Sequence, residues 1–114
     1  MVATAACRDA TNGPEFIAAA KRICHADINV LTGTQEARLS ALGIVSGIYK
    51  PDGIVGDLGG GSLELIDVSG RKLAHPVSVP LGSLALQDLS EKSVKKADRI
   101  VSRTLAKAPL LSAG

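Results

Sequence analysis

The sequence predicts an α/β protein, and three observations lead to that prediction. Over residues 1–50, short apolar runs that suit buried strands alternate with segments whose apolar residues recur at helical spacing. From residue 53 onwards, three further apolar runs are separated by glycine-containing turns, which indicates an antiparallel meander. Eight of the 12 glycines lie between Gly43 and Gly70, so the middle third of the chain carries the unusual backbone geometry.

The first half of the chain is predicted to form a strand, a helix, a second strand and a second helix. Residues 2–7 are small and mostly apolar, which favours a buried strand. A helix is expected to open at residues 12–13, with Pro14 in its first turn. Residues 28–31 are the second strand candidate, and Thr34 can cap the helix that follows.

The second half is predicted to contain three strands and a final helix. The helix is expected to begin near Asp88 or Ser90, because Asp88 and Glu91 have the spacing of a capping box. It should end before Pro109, which cannot continue a helix. The predicted strands are residues 54–58, 63–68 and 72–79.

Composition and charge exclude several classes of function. The chain has 114 residues, of which 46% are hydrophobic and 21% charged, values typical of a packed domain and not of a disordered segment. Its net charge of +2 is far from the dense basic surface of a DNA-binding protein. Phe16 and Tyr49 are the only aromatic residues, too few to stack nucleic-acid bases. We therefore expect no DNA partner, and an anionic ligand must be held locally.

Location and redox state are also predicted from the sequence. No apolar stretch approaches the roughly 20 residues of a membrane span. Arg8 and Asp9 interrupt the first apolar run before it reaches the length of a signal peptide. These features favour a soluble cytoplasmic protein without a membrane partner. Cys7 and Cys24 are expected to be reduced and buried, since two cysteines do not make a disulfide scaffold.

A triple glycine lies at the turn between the first two meander strands. Successive glycines let backbone N–H groups converge on an oxyanion, and the serine that follows adds a hydroxyl donor. Asp57 could hold a hydrated Mg²⁺, and Glu64 could supply a second carboxylate. The alternative is a flexible hairpin turn flanked by two solvated acids. The candidate phosphate-binding residues of this turn are Asp57, Gly59, Gly60, Gly61 and Ser62.

A second candidate site lies where a strand passes through Gly33 into a helix. Glu36 falls in the first helical turn, beside free backbone donors and the positive end of the helix dipole. A carboxylate held there can act as a general base on water. The alternative is that Glu36 only stabilises the helix start. Arg38 could bind phosphate or pair with a nearby acid.

Four segments together resemble the exopolyphosphatase/guanosine pentaphosphate phosphohydrolase (Ppx/GppA) family. They occur in the family's order and spacing, and the resemblance covers about nine-tenths of the chain. Because four separated motifs coincide, the match is far more specific than any one of them. The segments are ATAACRDATN at 3–12, TGTQEARL at 32–39, DLGGGSLE at 57–64 and PLG at 80–82.

The resemblance implies a fold and a position within it. The family's fold is the two-lobed, ribonuclease H-like architecture of actin, sugar kinases and chaperone ATPases, with substrate bound between the lobes. Residues 1–50 would be the C-terminal part of the first lobe, and residues 51–114 the N-terminal part of the second. The chain would then be a central fragment of an enzyme whose full-length form is expected to be a homodimer.

The resemblance also implies an activity. Members of the family release terminal orthophosphate from polyphosphate, or the 5′ γ-phosphate from guanosine pentaphosphate (pppGpp), with Mg²⁺. Glu36 matches the proposed catalytic base, and the turn at 57–62 matches the second phosphate loop. Asp57 and Glu64 match positions linked to metal binding. Arg8 matches the arginine of the strand that borders the cleft, where it would contact phosphate.

The chain departs from the family pattern in several places. Gln35 replaces a usual second acid, and Ala85 stands where a basic residue is common. The sequence contains neither the family's Asp-x-Gly-Ser-Asn-like first phosphate loop nor its later Gly-Gly-Thr-like loop. We therefore expect the isolated chain to be inactive, because one phosphate clamp cannot fix an in-line attack. The alternative hypothesis is that the chain is not an enzyme segment but a non-catalytic module of the same fold that senses phosphate or nucleotide.

Overall fold

A computed structural model describes residues 1–108 of the chain. Within that range the strands are β1 (Val2–Ala3), β2 (Asn29–Val30), β3 (Asp52–Leu58), β4 (Leu63–Ser69) and β5 (Lys72–Val79). The helices are α1 (Ala5–Asp9), α2 (Gly13–Cys24), α3 (Gly33–Gly47), α4 (Ser83–Leu89) and α5 (Val94–Leu105).

A small parallel sheet opens the fold. β1 pairs with β2 in parallel, with Val2 opposite Asn29 and Ala3 opposite Val30. Parallel strands need a crossover connection, which α1 and α2 provide. This arrangement, followed by the antiparallel meander of the second half, confirms the predicted α/β class.

Helix α1 replaces most of the first predicted strand. The strand expected over residues 2–7 ends at Ala3, so that part of the prediction is wrong. The amides of Cys7 and Arg8 both donate to the carbonyl of Thr4, at 3.1 Å each, which turns the chain into a helix. Alanine is the best helix former, and its run here favours that turn over an extended chain. Arg8 consequently lies in the last turn of α1.

The predicted meander is confirmed. Strands β3, β4 and β5 form an antiparallel sheet in that order. Leu58 pairs with Leu63, so residues 59–62 close the β3–β4 hairpin. Helix α3 packs across this sheet and buries one face of it. The buried core residues between them are Ala37, Ala41, Ile66 and Val68, with Val45, Val55 and Leu73 packed alongside.

Helix α3 connects the two halves of the chain. The sequence assigned it to the segment 1–50, yet its contacts are with the sheet of residues 52–79. Its cap is Thr32 and not Thr34, so that prediction is wrong. The Thr32 hydroxyl accepts the amide of Gln35 at 3.2 Å, and the Gln35 side chain accepts the amide of Thr32 at 2.9 Å. This reciprocal capping box needs a Gln or Glu three residues after the cap, which Thr34 does not have.

The single final helix predicted from residue 88 or 90 is instead two helices. Glu91 and Lys92 adopt φ of 51° and 61°, a left-handed conformation that ends α4. Ser93 then caps α5 by accepting the amide of Lys96 at 3.3 Å. The expected capping box of Asp88 with Glu91 is therefore wrong. Residues 109–114, including the proline expected to follow the helix, lie outside the described residues.

The two cysteines differ in exposure. Neither forms a disulfide within residues 1–108, as expected. Cys7 is half-buried, but Cys24 is exposed at the end of α2, so the expectation that it is buried is wrong. None of the helices formed by residues 1–108 has both the length and the apolar character needed to cross a bilayer.

Candidate active site

The glycine-rich turn is held by the start of α4. The Ser83 amide donates to the carbonyl of Gly59 at 3.0 Å, and the amides of Leu84 and Ala85 both donate to that of Gly60 at 3.0 Å. The first amides of a helix have no partner within it, and here they bind the turn. The turn is therefore hydrogen-bonded to the start of α4, which favours an ordered turn over the flexible hairpin turn that the sequence left open.

Three successive amides of this turn remain available for a ligand. Gly60, Gly61 and Ser62 donate no hydrogen bond through their backbone N–H to any residue in the described part of the chain. The Gly59 amide is different, because it closes the hairpin on the Ser62 carbonyl at 3.0 Å. Consecutive free amides form a concave group of donors suited to an anion.

Close packing explains why glycine occupies these positions. A Cβ on Gly61 would lie 2.7 Å from the Cβ of Ala5, closer than real atoms approach. A Cβ on Gly82, just before α4, would collide with the backbone of Gly60 and Gly61. The turn is thus enclosed between α1 and α4, and only glycine fits at these two contacts.

Glu36 and the glycine-rich turn line the same cavity. This cavity, of about 290 Å³, has residues 59–62 on one side and residues 4–6 of the N-terminal segment on another. Glu36 projects from the first turn of α3, and Leu84 and Ala85 of α4 complete the lining. The structure therefore brings the two sites predicted from separate sequence segments into one place.

Arg8 lies beside Glu36. Its Nη1 atom donates to the carbonyl of Leu31 at 2.7 Å and is 3.4 Å from Oε2 of Glu36. Its Nε atom is 3.3 Å from the Asp9 carboxylate. The side chains of Arg8 and Glu36 are only 25% and 18% exposed, so both are held in place. Arg8 contacts the carboxylate of the candidate base, whereas the lining of the cavity itself does not include it.

The two other predicted acids lie on the sheet beneath α3. Asp57 and Glu64 occupy directly facing positions of β3 and β4. Asp57 is exposed and accepts a hydrogen bond from the hydroxyl of Ser40 on α3. Glu64 is only 2% exposed, and its Oε1 accepts the hydroxyl of Ser78 at 2.7 Å. Neither acid lines the cavity that contains Glu36.

The pair of facing acids is compatible with Mg²⁺ in chemistry. Side chains directly opposite on antiparallel strands have Cβ atoms about 4.5–5.5 Å apart, within reach of one small cation. Mg²⁺ prefers one or two carboxylates completed by water and phosphate oxygens. No group of three or more His, Cys, Asp or Glu within residues 1–108 is placed to hold a metal. Any Mg²⁺ here would therefore rely on these two carboxylates and on water or ligand oxygens.

Sequence reasoning missed three contributors to the site. Ser40 and Ser78, which bind the two acids, carry no motif that marks them. Leu84 lines the cavity, and in the sequence only the preceding Pro-Leu-Gly segment indicated this loop. Arg38, considered as a phosphate ligand, is exposed and makes no ion pair within the described residues.

The fold and the site define the chain as an α/β protein in which a glycine-rich turn and a helix-borne carboxylate line one cavity. The sequence model of the Ppx/GppA phosphatase family matches residues 1–109, and the chain belongs to that family. The resemblance inferred from the four motifs is therefore confirmed.

Solved structures of family members superpose on the chain. The Aquifex aeolicus Ppx/GppA family member is 32% identical to this chain and superposes with a TM-score of 0.65. The match covers 93% of this chain and 36% of the Aquifex protein. An exopolyphosphatase-like protein is 30% identical, with a TM-score of 0.77, and the match covers 94% of this chain and 37% of that protein. An exopolyphosphatase from Cytophaga hutchinsonii is 28% identical, with a TM-score of 0.71, and the match covers 76% of this chain and 28% of that enzyme. The chain thus has the fold of these proteins and spans well under half of their length.

Proposed function

We propose that the chain is the catalytic segment of a phosphoanhydride hydrolase. The substrate is inorganic polyphosphate, from which terminal orthophosphate is released, or pppGpp, from which the 5′ γ-phosphate is released. The observation that carries this proposal is the shared cavity, which is lined both by Glu36 and by Gly60, Gly61 and Ser62, whose amides donate no hydrogen bond within the described residues. An anion-binding turn and a carboxylate base are two of the parts that hydrolysis of a terminal phosphate needs.

The proposed reaction uses these residues in defined roles. Oxygens of the terminal phosphate accept the amides of Gly60, Gly61 and Ser62, which fixes the phosphorus atom in the cavity. Glu36 orients a water molecule and takes its proton as the water oxygen forms a bond to phosphorus. The bond from phosphorus to the bridging oxygen breaks, and that oxygen leaves with the shortened phosphate chain.

Arg8 serves the same step through Glu36. Its hydrogen bond to the Leu31 carbonyl fixes the guanidinium, which in turn holds one oxygen of the Glu36 carboxylate. The family resemblance also implies that Arg8 contacts a phosphate oxygen, although Arg8 does not line the cavity in this structure.

Asp57 and Glu64 are the residues that would hold Mg²⁺. When bound, the ion would neutralise negative charge on the phosphate oxygens. The exposed carboxylate of Asp57 is directly accessible to a hydrated ion. Glu64 lies behind it in the sheet and would contribute through the oxygen that Ser78 does not occupy.

The position of Glu36 favours a hydrolase over a purely binding module. A carboxylate beside an anion site repels the ligand, so a protein that only senses phosphate gains nothing from it. We also propose that the full-length protein to which this segment belongs is a homodimer and acts in the cytoplasm.

The first test compares the isolated chain with a chimaera. With polyphosphate and Mg²⁺, the 114-residue chain is expected to release orthophosphate at least about 100-fold more slowly than a full-length exopolyphosphatase. A chimaera in which this segment replaces its counterpart in a full-length family member is expected to release phosphate. A folded chimaera without phosphate release would contradict the proposal, and full activity of the isolated chain would contradict the expected dependence on the other phosphate loops.

A further inference from the structure

Three polar side chains form one row across the meander. Asp57, Glu64 and Ser78 occupy facing positions on β3, β4 and β5. All three therefore project from the same face of the sheet, the face covered by α3. Ser78 donates its hydroxyl to Oε1 of Glu64 at 2.7 Å. The row thus runs from the exposed acid at one edge, through the buried acid, to the serine.

Because Glu64 is buried, its stability and orientation depend on the few groups that bind its carboxylate. Glu64 is among the largest fully buried side chains of residues 1–108, and no ion pair within that range involves it. A buried carboxylate is costly unless hydrogen bonds or a cation compensate its charge. Within the described residues the Ser78 hydroxyl is the only side-chain donor to Glu64. The orientation of the carboxylate therefore depends on Ser78.

Ser78 also contacts the start of α3. Gly33, the first residue of that helix, packs so closely on Ser78 that a Cβ at residue 33 would collide with its side chain. Glu36 lies in the same first turn, three residues further along. One serine thus touches both the buried acid of the sheet and the helix that carries the candidate base.

We propose that Ser78 is a positioning residue for Glu64. Its hydroxyl holds one carboxylate oxygen, Oε1, and leaves Oε2, which accepts no hydrogen bond within the described residues, for a divalent cation shared with the facing Asp57. The inference rests on the metal-binding role of Asp57 and Glu64 in the proposed function. It assigns Ser78 no contact with substrate.

The test is binding of Mn²⁺ alone to the 114-residue chain, measured by calorimetry or by the electron paramagnetic resonance signal of the free ion. Ser78→Ala is expected to weaken Mn²⁺ binding by about 10- to 100-fold, the usual effect of removing a residue that orients a metal ligand. In a Glu64→Gln background the same substitution should change the Mn²⁺ affinity by less than about twofold, because the Glu64 carboxylate that Ser78 orients is no longer present.

A matched control and a second variant keep the result interpretable. Ser69→Ala removes an exposed serine from the end of β4 and should leave Mn²⁺ binding unchanged. If Ser78→Ala does not fold by circular dichroism, Ser78→Cys retains the size and a weaker donor, and should bind Mn²⁺ with intermediate affinity.

Two outcomes would overturn the inference in different ways. Equal Mn²⁺ affinity in wild type and Ser78→Ala, with only a lower melting temperature in the variant, would show that Ser78 is merely structural and would leave the proposed function standing. No Mn²⁺ binding by the wild-type chain would overturn both the metal site of the proposed function and the inference that rests on it.

Discussion

Replacing Glu36 by Gln is expected to lower phosphate release by about 100- to 10,000-fold, because an amide cannot take a proton from water. The assay uses polyphosphate or pppGpp with the chimaera described above, since the isolated chain is expected to be inactive. The loss should appear in kcat, with KM unchanged or lower, because Glu36 activates the attacking water while its negative charge repels the bound phosphate.

Glu15→Gln is the matched control for this variant. Glu15 also lies in the first turn of a helix, but that helix is α2 and the residue is exposed. The same chemical change there should leave phosphate release within about twofold of wild type, as for most surface substitutions. If Glu36→Gln retains more than about a tenth of the activity, the general base must be another residue.

Gly82→Ala is expected to damage both stability and anion binding. The added Cβ would collide with the backbone of Gly60 and Gly61, and a backbone cannot rotate away as a side chain can. Overpacking of this kind lowers the free energy of unfolding by about 1–3 kcal/mol. Because the turn itself must shift, the affinity for inorganic tripolyphosphate should fall by at least about tenfold. Urea unfolding and calorimetric titration measure the two effects.

Gly43→Ala makes the same chemical change where space is free. Gly43 lies inside α3, and nothing lies within 4 Å of a Cβ built there. Alanine is a better helix former than glycine, so this variant should raise the free energy of unfolding by about 0.5–1 kcal/mol. Its affinity for tripolyphosphate should equal that of wild type. If both variants bind tripolyphosphate equally well, α4 does not set the conformation of the turn.

The meander was predictable because its signals are local. Apolar runs of strand length, separated by a triple glycine and by a Ser-Gly turn, leave few alternatives to three adjacent antiparallel strands. The first turn of α3 was also predictable, since Gly33 and the residues after it combine a strand exit with helical spacing. These two predictions place the glycine-rich turn and Glu36, the centre of the candidate site.

Elements that depend on competing local preferences were not predictable. Residues 5–7 suit a strand as well as a helix, and the hydrogen bonds to Thr4 decide in favour of α1. The break between α4 and α5 depends on left-handed conformations at Glu91 and Lys92, residues whose side chains do not favour that geometry. The sequence therefore predicted one final helix where the structure has α4 and α5.

The surroundings of the acids could not be predicted from sequence either. Ser78 and Glu64 are 14 residues apart, and Ser40 and Asp57 are 17 apart. Their contacts depend on strand register and on which face of the sheet α3 covers, and neither is visible in a motif. The family resemblance indicated which acids to consider, and the structure shows which side chains they contact.

The central claim is that the free amides of the glycine-rich turn bind a phosphate chain beside Glu36. The most direct test is a titration of the ¹⁵N-labelled chain with inorganic tripolyphosphate, followed through the backbone amide resonances. We expect saturable shifts at Gly60, Gly61 and Ser62, with a smaller shift at Glu36 and none in α2. Saturable binding that leaves those three amides unmoved, or no binding at all, would contradict it.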